Sequence, residues 1–145
     1  MPQRDKHKDC EVLETFLHSR VATPFAWGSH DCCLFAADAI LEVTGIDIAD
    51  DFRGRYADEA GAFALIESVT GGATVADAAA HCAAKHGFTE HRFPLMAQRG
   101  DLVVMNNGGN LIAGVVHLNG RHVVSVSEHG PVRLSNLAIV RAWHY

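Results

Sequence analysis

The stretch FAWGSHDCCLFAAD, residues 25–38, joins an aromatic loop to an apolar, alanine-rich run. Asp31 can cap a helix that runs to Val43, and Gly45 supplies the stop. Cys32 then lies in the first helical turn, at the positive end of the helix dipole. That position lowers the pKa of a thiol and favours its nucleophilic thiolate. The segment therefore predicts a helix that begins with a candidate nucleophile.

The two adjacent cysteines are predicted to face different ways. The helical period places Cys33 on the buried face, leaving Cys32 at the loop edge beside His30 and Asp31. A catalytic thiol needs such access. The alternative is that both thiols are small core residues, because free cysteine is among the most buried residue types.

Three further helices are predicted in the first two thirds of the chain. Apolar spacing and an N-cap residue indicate the first, first-turn acidic residues and a glycine break indicate the second, and a capping-box pattern and a glycine stop indicate the third. They are Cys10–Arg20 with Asp9 as N-cap, Asp58–Val69 ended by Gly71-Gly72, and a helix from Thr74 to His86 stopped by Gly87.

The last third reads as an antiparallel meander. Predicted strands cover Asp101–Met105, Leu111–Leu118 and Arg121–Ser127, with Val132–Leu134 and Ile139–Trp143 as further edge strands. Helices followed by such a meander indicate an α+β fold.

Asn119-Gly120 predicts a two-residue hairpin turn, which sets His117 opposite His122. One face of the hairpin then carries Ala113, Val115, Val124 and Val126, and the other carries Ile112, Val116, Leu118 and Val123. Since both faces are apolar, the sheet should be covered on both sides near its middle.

Length and composition predict one domain over residues 1–145, with a helical part at about 9–90 and a β-meander at about 100–145. Net charge is -5 and the basic residues are scattered, which argues against a nucleic-acid surface. No apolar run approaches the roughly 20 residues of a membrane span. The polar N-terminus predicts no signal peptide, and hence synthesis in a cytoplasm. The four cysteines form no CxxC pair and are expected to be free thiols.

Four motifs in order resemble the NlpC-type cysteine peptidases, papain-like enzymes that cut peptidoglycan stem peptides. They are Pro24-Phe25-Ala26-Trp27-Gly28, Asp31-Cys32, Gly100-Asp101-Leu102-Val103-Val104 and Gly114-Val115-Val116, within about residues 20–127. The resemblance implies a papain-like fold with N-terminal helices packed on a C-terminal antiparallel sheet. It makes Cys32 the candidate nucleophile, with Trp27, Gly28, His30, Asp31 and Asp101 supporting the site.

The chain departs from that family at the base. The family's catalytic His falls on Ile112, the Tyr of its WG segment falls on Phe25, and its third polar residue lies near Val124 or Ser125. Without an adjacent base, no group takes the proton of the thiol or protonates a leaving amine. The expected site is degenerate, as in a pseudoenzyme, and no metal or cofactor is expected.

Residues 25–38 together with Thr44-Gly45 and Phe52-Arg53-Gly54-Arg55-Tyr56 resemble a phage family encoded in tail gene clusters, beside tail hub and host-recognition genes. The resemblance extends to Ala142-Trp143. It implies a tail-tip component of the virion, assembled in the host cytoplasm. The implied partners are tail hub and host-recognition proteins, with peptidoglycan as a further ligand.

Two alternatives stay open. An active cysteine peptidase or amidase would use Cys32 with an unrecognised base, for which His117 and His122 are the candidates. Otherwise they are exposed histidines at a hairpin end. A metal- or ligand-binding module is the other, although a pair of histidines without a third ligand makes a poor metal site.

Arg53, Arg55 and Tyr56 are candidates for partner binding. Arginine offers a rigid bidentate fork for carboxylates, and aromatic and arginine side chains anchor protein interfaces. The alternative is a loop that pairs internally with Asp50, Asp51 or Asp58.

Overall fold

The computed structural model describes residues 6–145, which form four helices followed by a six-stranded sheet. The helices are α1 (Lys6–Arg20), α2 (Cys32–Thr44), α3 (Glu59–Thr70) and α4 (Val75–Lys85). The predicted α+β class is confirmed.

Local capping explains where three of the helices begin. Asp31 and Asp58 accept hydrogen bonds from backbone N–H groups in the first turns of α2 and α3, and Thr74 forms a capping box with Asp77 at α4. The prediction for α1 was wrong at its start. That helix already begins at Lys6, so Asp9 lies inside the first turn and is not the N-cap.

The strands are β1 (Thr89–Glu90), β2 (Leu102–Asn107), β3 (Asn110–Val116), β4 (His122–Ser127), β5 (Gly130–Ser135) and β6 (Ile139–His144). Their order in the sheet is β1-β6-β2-β3-β4-β5, with every neighbouring pair antiparallel. The meander is therefore correct for β2 to β5. The prediction that Ile139–Trp143 forms an edge strand was wrong, because β6 lies between β1 and β2.

The hairpin between β3 and β4 has a wider turn than predicted. His117 does lie opposite His122, since its N–H donates to the His122 carbonyl at 2.8 Å. The Gly120 N–H donates to the His117 carbonyl, and of residues 118–121 only Gly120 has a left-handed φ, of +70°. A two-residue type I′ turn would need positive φ at Asn119 as well.

The short connection between β5 and β6 shows that the sheet is curled. Only three residues, Asn136–Ala138, join the two strands. Four strand spacings separate β5 from β6 in the sheet order, or about 19 Å if the sheet were flat. The four Cα steps from Ser135 to Ile139 reach at most about 15 Å. The short connection fits only a curled sheet.

Both faces of the curled sheet are covered. The larger core cluster joins the helices to side chains of β2, β3, β4 and β6, and includes Ala113 and Val115. A smaller cluster on the opposite face consists of Val103, Met105, Val116, Val123, Ile139 and Ala142. The predicted facial alternation of the β3–β4 hairpin holds except at two residues: Leu118 packs with the larger cluster, and Ile112 packs with both clusters.

No helix within residues 6–145 combines the length and apolarity that a bilayer crossing requires.

Candidate functional site

Asp31 fixes the start of α2 through both carboxylate oxygens. Oδ1 accepts from the Leu34 N–H at 2.9 Å, and Oδ2 accepts from the Gly28 N–H at 3.0 Å and from the Tyr56 hydroxyl at 2.5 Å. Asp31 is 1% exposed. Burial, followed by this hydrogen bond to Asp31, raises the pKa of Tyr56 far above its usual value. One carboxylate thus joins the helix start, the Trp27-Gly28 loop and the segment after Arg55.

Cys32 lies in the first turn of α2, as predicted, but its exposure contradicts the prediction. Cys32 is buried, at 8% exposed, whereas Cys33 is only partly buried. The reason is that the Trp27–His30 turn and β3 both close over the helix start. The two sulfur atoms lie 4.0 Å apart, so these neighbours do not point in opposite directions.

The surroundings of Cys32 favour its thiolate. Hydrogen bonding from the Cys33 thiol lowers the pKa of Cys32, burial opposes this effect, and the Ala113 backbone N–H lowers the pKa further. The pKa of Cys33 is raised well above its usual value by the same thiol contact and by burial. Of the two thiols, Cys32 is therefore the one with the lower pKa.

Among the described residues, no imidazole is hydrogen-bonded to the Cys32 sulfur. Strand β3 offers it the backbone of Ala113, and Ile112 lines the same cleft with an alkyl side chain. Acyl transfer needs a group that moves a proton, and no imidazole of residues 6–145 is hydrogen-bonded to this thiol.

A cleft of about 720 Å³ opens beside the thiols, and most of its lining is apolar. Helices α2, α3 and α4 form one side, and the ends of β3 and β4 form the other. Aromatic side chains in the lining are Phe25, Trp27, Phe52, Tyr56 and Phe63. Such a concave, largely apolar site is typical of a ligand pocket.

Sequence reasoning missed two residues of this cleft. Glu128 and His129 occupy the turn between β4 and β5 and line the same cavity as Cys32. No local pattern marks them, because only the register of β4 against β3 brings this turn to the cleft.

The predicted candidate bases lie elsewhere. His117 lines a separate groove with residues of α1 and β5, and neither it nor His122 lines the cleft of Cys32. Asn119 engages both imidazoles, donating its N–H to Nδ1 of His117 at 3.1 Å and pairing through its side-chain amide with Nδ1 of His122 at 2.9 Å. Burial lowers the pKa of His117. The structure does not bring this pair to Cys32.

His30 is buried at 5% exposed, with no hydrogen-bond partner for its Nε2 atom. Its ring meets Phe35 edge-on, with centroids 6.1 Å apart, and it does not line the cleft. Burial, the largest cause, lowers the pKa of His30. No hydrogen bond joins His30 to the Cys32 sulfur.

Asp101 is fully buried and binds two histidines. Oδ2 pairs with Nε2 of His91 at 2.7 Å and accepts from the Gln98 N–H at 2.8 Å, while Oδ1 pairs with Nδ1 of His144 at 2.6 Å. Asp101 does not line the cleft. Its hydrogen bonds join the segment before β2 to His91 and to the end of β6, outside the cleft lining.

The arginines proposed for partner binding are engaged within the chain. Arg53 binds Asp47 through two hydrogen bonds of 3.0 and 3.1 Å and pairs with Asp38 at 2.8 Å. Arg55 donates to the backbone carbonyl of Asp51 at 2.8 Å. The internal pairing that sequence reasoning kept open therefore occurs, with different acidic side chains than expected.

Ion pairs connect the C-terminal half of α4 to Asp50 and Asp51, in the loop before Arg53. Lys85 lies 2.9 Å from Asp50 and 3.0 Å from Asp51, and His86 and His81 pair with the same two carboxylates. Hydrogen bonds from Lys85 and then His86 lower the pKa of Asp50 to about 2.

The Asp50 cluster predicts an acid-sensitive contribution to stability. Because the pKa of Asp50 is lower in the folded state than its unfolded value near 4, its ionised carboxylate stabilises the fold at any pH above that value. This stabilisation is lost as the pH falls towards about 2. Asp50→Asn should therefore lower the Tm by about 1–3 °C at pH 7 and hardly at all at pH 2, a modest effect because the pair is exposed. Thermal unfolding of both proteins across this range measures the difference, with Glu67→Gln as an exposed control. A Tm difference independent of pH would contradict the assignment.

Within the part of the chain that the structure describes, no three His, Cys, Asp or Glu side chains are grouped as a metal site requires.

Fold and site together define a class: an α+β protein with a thiol at a helix start, in an apolar cleft, and no imidazole bonded to that thiol among residues 6–145. The chain belongs to the family described as Domain of unknown function (DUF6950), whose model matches residues 5–145. No curated protein and no solved structure matches it.

Proposed function

We propose that this protein is a papain-like, NlpC-type domain that has kept the peptide cleft of a cell-wall peptidase and lost the reaction. The observation that carries the proposal is the Cys32 site. A thiol of lowered pKa lies at a helix start beside the β3 backbone at Ala113, and no imidazole within residues 6–145 is bonded to it.

The surrounding layout supports the same proposal. Asp31 caps α2, the Trp27-Gly28 turn folds over the helix start, and α2 packs against β3. These are the elements on which the NlpC resemblance rests. A hydrolase needs a group that accepts the thiol proton and later protonates the leaving amine. Here hydrogen bonds lower the pKa of Cys32 against the opposing effect of burial, and no imidazole of the described residues is bonded to its sulfur.

We assign the protein to a phage or prophage tail tip, as a structural component of the virion beside hub and host-recognition proteins. Support comes from the sequence resemblance of residues 25–38 and 52–56 to that phage family. A cell-wall-peptide cleft suits a particle that meets peptidoglycan during entry. Its presence in purified particles, cross-linked to hub proteins, tests this assignment.

Hydrolysis is the direct test of the lost reaction. Wild type and Cys32→Ala should release the same background amount of product from muropeptides. A thiol without a base does not catalyse the cleavage, so its removal should not change the rate. Chromatography of the digests, with an active NlpC-type peptidase as positive control, provides the measurement. Turnover by wild type that Cys32→Ala abolishes would overturn the proposal.

A second candidate function, an active cysteine peptidase or amidase, is favoured by one observation: His129 lines the cleft of Cys32. If that imidazole served as the base, His129→Ala would abolish turnover together with Cys32→Ala, and His117→Ala would not. The same hydrolysis assay decides between the two functions.

A further inference from the structure

The cleft beside Cys32 has a one-sided charge. Its lining includes the carboxylates of Glu59 and Glu128, and no lysine or arginine belongs to it. His129 is the one histidine of the lining. The rest of the lining is mostly apolar, so few other polar groups of the cleft compete with these charged groups for a ligand.

The two glutamates are not neutralised by the protein. Glu59 lies in the first turn of α3 and Glu128 in the turn between β4 and β5, and both are exposed. Neither forms an ion pair within residues 6–145, whereas Asp47, Asp50, Asp51 and Glu90 each bind a lysine or arginine. The acidic groups of the cleft therefore retain their capacity for a cation.

Asp31 is the third carboxylate of the lining, and it has a different role. It is buried and already accepts three hydrogen bonds, from Leu34, Gly28 and Tyr56. It adds negative potential beneath the cleft without offering a free oxygen at its surface. A ligand carboxylate would meet three like charges, which disfavours an anionic ligand.

We propose that the cleft binds ligands that combine an apolar body with a primary ammonium group, and that Glu59 and Glu128 select the ammonium. The apolar body lies along the aromatic lining near Trp27. The inference rests on the proposed function, because it takes the cleft to be kept for binding. Two sources share this chemistry, a short peptide with a free amine and a small alkylamine.

Trp27 provides the reporter for the test, because its indole lines the cleft while Trp143 does not. Its fluorescence is titrated with n-hexylamine, 1-hexanol and hexanoate, and with a Leu-Ala-Lys tripeptide and its fully acetylated form. We expect hexylamine to bind about five- to tenfold more tightly than hexanol, as two partly exposed charge pairs allow, and hexanoate to bind most weakly. Trp27→Phe should remove the signal.

The glutamates are tested by the double variant Glu59→Gln/Glu128→Gln. It should bind hexylamine and hexanol equally, while Glu67→Gln, on α3 but outside the cleft lining, keeps the preference. Preference for the free tripeptide assigns a peptide ligand, and preference for hexylamine alone assigns a small amine; both support the inference. No preference for ammonium, or one that survives the double variant, overturns it.

Failure of the two proposals can be distinguished. Muropeptide hydrolysis dependent on Cys32 would overturn the lost reaction and leave the ammonium preference intact. Equal binding of amine and alcohol would overturn the ammonium preference and leave the proposal of a lost reaction standing.

Discussion

Gly28→Ala should destabilise the protein by about 3 kcal/mol, because two separate costs coincide at this position. Gly28 has a φ of +83°, a conformation that strains any residue with a side chain. A Cβ at this position would also overlap the Tyr56 carbonyl oxygen and approach the Ala57 backbone. Neither partner is the end of a flexible side chain, so the loop would have to move. Urea unfolding of both proteins measures the loss.

Gly54→Ala is the matched control. Gly54 has nearly the same φ, +76°, but nothing lies within 4 Å of the Cβ that alanine would add. It should lose only the backbone cost, about 1 kcal/mol. Equal losses in the two variants would show that the close approach of the Trp27-Gly28 turn to Tyr56 does not contribute to stability.

Asp101→Ala should cost about 4 kcal/mol, the second large effect. The substitution removes a fully buried carboxylate and leaves the ring nitrogens of His91 and His144 and the Gln98 N–H without their acceptor. Chemical denaturation followed by circular dichroism gives the free energy of unfolding.

Asp58→Ala provides the comparison for Asp101. Asp58 also accepts a backbone hydrogen bond, from Gly61 at 2.7 Å, but it does so at an exposed helix start. Its loss should be about 1 kcal/mol. A similar loss in both variants would mean that the two histidines bonded to Asp101 add nothing beyond a capping bond.

The helical half of the fold is largely predictable because its signals are local. Asp31, Asp58 and Thr74 each precede an apolar run, and their side chains cap the helices that follow. The start of α1 was missed because Asp9 resembles a cap while the helix already begins at Lys6. A local rule cannot tell a capping residue from an acidic residue in the first turn.

The sheet order is not local and was only partly predicted. Hairpin signals give the order β2 to β5, but nothing in the sequence of β6 tells that it returns to the other side of β2. The site shows the same limit. Cys32 follows from its own helix, whereas Glu128 and His129 reach the cleft only through strand pairing. The burial of Cys32 was mispredicted because helical period alone omits the turn and strand that cover it.

The β4–β5 hairpin has a consequence for access to the cleft. Strand β5 is an edge strand that pairs with β4 alone, and its residues alternate between partly buried and exposed. An element with so few buried contacts opens locally at a lower free energy than the whole domain unfolds. Since the turn that leads into β5 carries Glu128 and His129, local opening of β5 would move these two lining residues without unfolding the helical half.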